Sequence, residues 1–346
     1  MGAGGRGGWT VATMADVARL AGVSTKTVSN VLNDYPYIRA QTRDRVLEAV
    51  AALGYQINAS ARSLRSGRTG VIGLVVPEIG QPYFAELADE VLAAARQRGL
   101  KVVVEPTGFS RANELAVLSA ARQRLVDGLL FSPVGMGPED VALLEVDYPL
   151  VLLGEQLFSP ALDHVTMHNV EGARAATELL LETGCRRIAV LGAPHENPGG
   201  TSVLRYQGYC SALAAAGLEV DERLVAWTDE GWRRGHGARG IAGVLETGVR
   251  PDGVVAFNDA LAIGAMHELQ VRGLRVPDDV AVVGFDDTED SRFTLPALTT
   301  VDPGRQEVAR VAVDLLWQRL QGTGPEGRVL HTAGMRLVER GSTRPR

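Results

Sequence analysis

Residues 13–65 read TMADVARLAGVSTKTVSNVLNDYPYIRAQTRDRVLEAVAALGYQINASARSLR, and the punctuation of this stretch decides the fold. Thr13 is a suitable N-cap, because its hydroxyl can accept a free amide of a first helical turn. Val17, Leu20 and Ala21 then share an apolar face, and Gly22 suits the left-handed position that ends a helix. Ser24 caps again, ahead of a second short helix over 25–32, which Val23, Val28 and Leu32 can pack onto the first. Two short helices joined by a Gly-containing turn form the helix-turn-helix pattern. A third helix is predicted over 40–53, with Val46, Leu47, Val50 and Leu53 inward.

The N-terminal end of the second helix carries Thr25, Lys26, Thr27, Ser29 and Asn30. In a recognition helix this end meets base edges in the major groove, where Asn pairs with adenine and Lys reaches guanine. The bland alternative is a three-helix domain with a solvated polar face. The following NASARSLR, residues 58–65, is too short to be a stable helix in water. It could fold on a surface that neutralises Arg62 and Arg65, leaving Leu64 as an apolar wedge between base steps. Otherwise it is a linker with an incidental Leu.

The ADVARLAGVSTKTVSNVLN run, the TRDRVLEAVAALGY helix and the NASARSLRSGRTG segment together resemble the DNA-binding head and hinge of the LacI/GalR family of bacterial transcription regulators. The resemblance implies that Thr25 and Lys26 read bases. It also implies that Asn58, Ala61 and Leu64 belong to a hinge whose Ala61 and Leu64 enter the minor groove at the centre of a palindrome. Asn30 stands where many members carry an Arg that reads guanine. The expected division is a head over 9–57, a hinge over 58–69 and a regulatory body over 70–342.

Charge is distributed as this arrangement requires. The chain carries a net −6, yet through Arg68 nine Lys and Arg face four Asp and Glu, while the remainder holds 26 against 37. A basic head on an acidic body is a localised footprint for nucleic acid. No apolar run reaches the roughly 18 residues of a membrane span. The opening MGAGGRGGWT has neither a signal-peptide pattern nor a myristoylation site, and Cys185 and Cys210 are too few for a disulfide framework. A cytoplasmic protein is expected, without membrane partners.

Beyond a Gly-rich boundary at 66–70, VIGLVV at 71–76 reads as a buried parallel strand. Helical and apolar stretches then alternate twice over: up to about residue 153, and again from about 163 to 301. That is a doubly wound α/β layer in two copies, hence two lobes with a cleft between them, where strand ends meet ligand. The resemblance likewise implies a periplasmic-binding-protein-like core whose chain crosses between lobes three times. Crossings are expected near Asp163, near 296–302 and near 324–328, giving a first lobe of 70–163 and 302–325 and a second of 164–301 and 326–342.

Just past predicted strand ends stand Tyr83, Phe84, Glu155, Asn258 and Asp286, while Arg205 opens a helix and Trp232 lies in a Gly-rich loop. Carboxylate, Arg and Asn facing an aromatic ring suit a sugar, whose hydroxyls and C–H face they match. Each also has a plain alternative: Asp286 as a helix cap, Trp232 as core filler, Arg205 in a surface ion pair. In the resembled family, positions aligned with Arg205, Asn258, Asp286 and Trp232 contact the effector, and Tyr83, Phe84, Glu155 and Met167 fall at lining positions.

Two G-x-G-x-x-G matches mislead. Gly2, Gly4 and Gly7 follow no strand. Gly235, Gly237 and Gly240 are separated from theirs by residues 229–234, so no dinucleotide turn forms, and the glycines read as close packing against the sheet. There is no HExxH, GxSxG or Walker Lys, and the six histidines lack metal spacing. No cofactor, metal or catalytic role is expected. The resulting expectation is a repressor of carbohydrate-related genes, a homodimer on double-stranded, pseudo-palindromic operator DNA. It would be switched by a small effector, a sugar by preference, with a nucleobase or nucleoside, a protein co-regulator, or a sugar-binding module without DNA as alternatives.

Overall fold

The computed structural model describes residues 12–32, 35–55, 68–122, 125–194, 200–227 and 231–345. The chain divides into two units, Met1–Thr69 and Gly70–Arg346. In the first, helices α1 (Met14–Ala21), α2 (Thr25–Leu32) and α3 (Ala40–Leu53) enclose a small core of Val17, Ala18, Ala21, Val28, Val31, Val46, Ala49 and Tyr55. Thr13 and Asp16 form a reciprocal capping box: the Asp16 amide donates to Thr13 Oγ1, and the Thr13 amide donates to Asp16 Oδ2 at 2.9 Å. Gly22 closes α1 at φ 63°. Ser24 receives the Thr27 amide at 3.1 Å and so starts α2.

Two expected core residues lie outside. Leu20 is 56% exposed and Leu47 48% exposed. The buried stripes run instead through Ala18 and Ala21 on α1 and through Ala49 on α3. Successive helical residues are 100° apart, so Leu20 falls on the opposite flank of Val17 from Ala18, and small alanines let the helices approach where leucines would hold them apart.

The second unit contains two six-stranded sheets. β1 (Val71–Val76), β2 (Lys101–Pro106), β3 (Leu129–Phe131), β4 (Leu150–Leu153), β5 (Asp163–Met167) and β11 (Leu330–Ala333) form one, in the order β11-β5-β4-β3-β1-β2. β6 (Ile188–Ala193), β7 (Val225–Trp227), β8 (Gly253–Ala256), β9 (Ala281–Phe285), β10 (Thr299–Asp302) and β12 (Arg336–Val338) form the other, in the order β12-β10-β9-β8-β6-β7. All pairings are parallel except β10 with β12. Helices α4 (Pro82–Gln97), α5 (Arg111–Arg122) and α11 (Arg305–Gln321) accompany the first sheet. Helices α6 (Asn169–Glu182), α7 (Thr201–Ala215), α8 (Arg234–Glu246), α9 (Asp259–Val271) and the short α10 (Glu289–Phe293) accompany the second. Each sheet is packed on both faces, which is why its central strands β1, β3, β4, β6, β8 and β9 read as continuous apolar runs.

The lobe boundaries differ from expectation at two crossings. β5 belongs to the first sheet, so the chain leaves that lobe after Met167 rather than at Asp163. β11 pairs with β5 in the first sheet, so the last crossing lies between β11 and β12 and not near 324–328. Pro138–Leu144 is a 3₁₀ helix. The glycines of α8 divide: a Cβ on Gly240 would meet Ala226 and Leu191 of the sheet, as expected, whereas one on Gly237 would stand 2.0 Å from the Leu261 carbonyl, so that residue packs on a helix, α9.

Candidate functional site

In the first unit, Thr25 and Lys26 are exposed, and Thr27 and Asn30 are half-buried. Ser29 departs from expectation: it is 5% exposed and turned toward the core, beside Val28. Asn58, Ala61 and Leu64 lie outside the described residues.

All seven expected ligand residues of the second unit line one cavity of about 530 Å³ between the two sheets. Strand ends supply most of them. β1 runs to Val76, and α4 then presents Tyr83 and Phe84. β4 is followed by Glu155, β8 by Phe257 and Asn258, and β9 by Asp286. Arg205 sits one turn into α7.

The centre of the cavity is an arginine threaded between two rings. Arg205 is 2% exposed. Its Nε donates to Asn169 Oδ1 at 2.8 Å, and its Nη1 donates to the Phe257 carbonyl. The guanidinium lies 3.5 Å over the Phe285 ring and 5.6 Å from that of Trp232. Burial pushes its pKa below the ordinary value, against the pull of Asp286 and Glu155. Asp286 Oδ1 is 3.8 Å from Arg205 Nη1. Burial raises the Asp286 carboxyl well above the ordinary carboxylate range, and Arg205 opposes that rise.

Asp286 is also held in an unusual backbone conformation, φ 119°, with Asp287 at 46°. Its amide donates to the Val301 carbonyl at 2.8 Å and its carbonyl accepts from Arg305 Nη1 at 2.9 Å. Such strain persists where surrounding structure over-determines it, and it aims a side chain that ordinary strand continuation would direct elsewhere.

The polar groups around the cavity are not equally available. Glu155 is spent on the protein: Oε1 accepts from Thr166 Oγ1 at 2.7 Å and the Met167 amide at 3.1 Å, and Oε2 from Thr201 Oγ1 at 2.7 Å. Asn258 caps α9 by accepting from the Leu261 amide at 2.8 Å, and its Nδ2 donates to the Trp232 carbonyl at 2.9 Å. It therefore fixes the Trp232 loop. Tyr83, whose hydroxyl pKa burial raises, donates to Met167 Sδ at 3.5 Å and meets Phe84 edge-on at 5.2 Å. Among the described residues, nothing donates a hydrogen bond to the Asp286 carboxylate, and Arg205 Nη2 has no acceptor. Those two groups place an open acceptor and an open donor side by side.

Several contacts tie the lobes across the cleft: Thr201 to Glu155, Arg233 to Glu78, and the Glu289 amide to Glu86 Oε1 at 2.9 Å. Sequence reading overlooked Thr201, whose role depends on a partner 46 residues away, and Asn169, which orients Arg205 from the start of α6. The described residues contain no cluster of His, Cys, Asp or Glu arranged for a metal, and no described helix is long and apolar enough to cross a membrane.

Known proteins share both units. Residues 13–58 match the family described as bacterial regulatory proteins, lacI family, and residues 177–343 match a periplasmic binding protein-like domain. The HTH-type transcriptional regulator CelR of Thermobifida fusca is 36% identical over 330 residues, covering 92% of this chain and 96% of its own. The HTH-type transcriptional repressor PurR of Histophilus somni (strain 129Pt) is 32% identical, covering 92% and 96%. The crystal structure of the Lac repressor dimer bound to operator and an anti-inducer superposes with a TM-score of 0.83 at 28% identity, covering 96% of this chain and 99% of that one. The helix-turn-helix unit, the two-sheet body and relatives matched over nearly their whole length make this chain a member of the LacI family of DNA-binding bacterial transcription regulators.

Proposed function

We propose that this regulator represses transcription as a homodimer on a pseudo-palindromic operator, and that a sugar bound between Asp286, Arg205 and Trp232 switches it. The observation that carries the ligand reading is an uncommitted charged pair in the cavity wall: a carboxylate without donors beside a guanidinium with a spare N–H. Two neighbouring hydroxyls of one sugar match such a pair, one donating to Asp286 and the other accepting from Arg205. The Trp232 ring offers a face to the sugar's C–H bonds. Relatives support the class: CelR has been solved as a cellobiose complex, and another relative is the ribose operon repressor of Haemophilus influenzae.

The switch is a population shift. A ligand that bridges Asp286 on one lobe to Tyr83 and Phe84 on the other favours the closed arrangement, which the Glu155–Thr201 and Glu78–Arg233 contacts also favour. Coupling of about 1–3 kcal/mol suffices for a useful response. On the DNA side, Thr25 and Lys26 read base edges, with Thr27 and Asn30 beside them. Asn58, Ala61 and Leu64 form a hinge over the operator centre.

Calorimetry of the full chain against monosaccharides, disaccharides, purine bases and nucleosides tests the effector class. Gel-shift titration on an inverted-repeat operator, over a range of salt and with each hit, tests the switch. A sugar should bind and change operator affinity, and that affinity should fall steeply as salt rises. Heat with a purine and none with any sugar would replace the effector reading by a nucleobase one. Operator affinity indifferent to every bound ligand would refute the switch.

A further inference from the structure

The cleft does not end at Arg205 and Asp286. A single hexose, about twelve non-hydrogen atoms and roughly 200 Å³, fills less than half of a pocket this size, and the inner cavity is about 530 Å³. A second cavity, about 640 Å³, adjoins it and shares the walls of Pro77, Phe109 and Gly231. Its own lining adds Glu78, Asn113, Arg233 and His236, with Ile79 as an apolar neighbour.

Phe109 stands at the junction in a form that turn chemistry alone does not explain. Its φ is 60°, directly after Gly108 at 66°. A bulky residue in the left-handed region is strained, and a plain turn would use Asn, Asp or Gly there. The turn is nonetheless firmly built. The Thr107 amide donates to the Val76 carbonyl at 3.0 Å, the Gly108 amide to the Pro77 carbonyl at 2.8 Å, and Asn113 Nδ2 to the Thr107 carbonyl at 2.9 Å. The outcome is a fixed aromatic residue left 41% exposed between two cavities with polar walls. On the far wall, His236 Nδ1 accepts from the Arg233 amide at 3.1 Å, so the neutral ring carries its proton on Nε2 as a donor.

We propose that the effector is a saccharide of at least two units, one ring in the inner cavity and the next on Phe109 in the outer one. The outer ring offers its C–H face to Phe109 and its hydroxyls to the Glu78–Arg233 pair and His236. This rests on the sugar reading of the inner site and adds the length of the ligand to it.

The test is calorimetry of the full chain with glucose, mannose and xylose, each against its β-1,4-linked dimer, and with maltose for the α linkage. The readout is the ratio of dimer to monomer affinity. In the unaltered protein one dimer should bind about tenfold tighter than its monomer, or more. Ile79→Trp obstructs the outer cavity from a position already 46% exposed, and Phe109→Ala removes the ring; each should bring that ratio down to about two or less. A monomer that binds as tightly as its dimer, or a ratio that survives both substitutions, overturns the proposal while leaving a sugar in the inner site. Absence of heat with every sugar removes the inner reading and this one together.

Discussion

Replacing Asp286 by Asn isolates the group on which ligand recognition depends. The side chain keeps its shape, and Asn is among the few residues that tolerate positive φ, so the 119° backbone need not relax. Two effects on stability oppose each other. The attraction to Arg205 Nη1, 3.8 Å away, is lost, but so is the cost of burying a carboxylate at a 5% exposed site. Burial raises the Asp286 pKa despite Arg205, so the cost is the larger of the two, and the net change in unfolding free energy should stay under about 1 kcal/mol.

Ligand binding has no such compensation. A carboxylate accepts from two hydroxyls; an amide accepts from one and turns a donor toward the other. Exchanging a charge-assisted bond for a neutral one costs about 1–1.5 kcal/mol, and losing the second acceptor about 1 more, in all a ~30- to 60-fold loss of affinity. Calorimetry measures the loss and urea denaturation the stability. An unchanged affinity for the sugar that binds the unaltered protein would show that its hydroxyls do not reach Asp286. A stability loss of several kcal/mol would show that the carboxylate is charged and paired before ligand arrives.

Thr201→Val removes one of the contacts that join the lobes while keeping the side-chain shape, and it deprives buried Glu155 of one donor. It should cost about 1–2 kcal/mol in urea denaturation and enlarge the particle in small-angle scattering, whereas unaltered dimensions would deny it a part in closure. In Gly264→Ala the new Cβ would sit 1.8 Å from the Arg234 carbonyl, so α8 and α9 must separate; the unfolding free energy in urea should drop by about 1–3 kcal/mol or more, and a neutral result would mean the two helices do not pack so closely. Asp259 is raised by burial from 3.8 to about 7, so between those values the unfolded chain has shed a proton that the folded chain retains. Its contribution to stability is therefore full below about pH 4, declines as pH rises, by at most ~1.4 kcal/mol per unit, and is gone above about pH 7. Asp259→Asn should flatten that decline, and an identical profile would exclude this carboxyl.

The head was legible because its signals are local. Capping residues, the left-handed Gly22 and 3.6-residue spacing all act within a few positions, and the choices between Leu20 and Ala18 and between Leu47 and Ala49 depended on how closely the helices approach. The alternation of the body was legible for a related reason: strands packed on both faces must be apolar throughout. β5 escaped because it breaks that rule. Its DHVTM is polar, yet it is buried, since Asp163 is paired with Arg319, His164 with the Gly154 carbonyl, and Thr166 with Glu155. Each partner comes from elsewhere in the chain, so no local pattern marks the strand. That single omission carried the other, because β11 joins the first sheet only by pairing with β5.

The site divides along the same line. Position at a strand end identified Glu155, Asn258 and Asp286 equally, and all three do face the cavity. What a polar group can still offer depends on which neighbours have already used it. Thr166, Thr201 and the Met167 amide consume Glu155, the α9 amide and the Trp232 carbonyl consume Asn258, and only Asp286 is left with its acceptors open. A sequence specifies those competitors too, but through contacts spanning tens of residues. Two of the three carboxylate or amide groups therefore shape the pocket by holding Thr201 and the Trp232 loop in place. Specificity is then expected to change most sharply with substitutions at Asp286, and cleft geometry with substitutions at the other two.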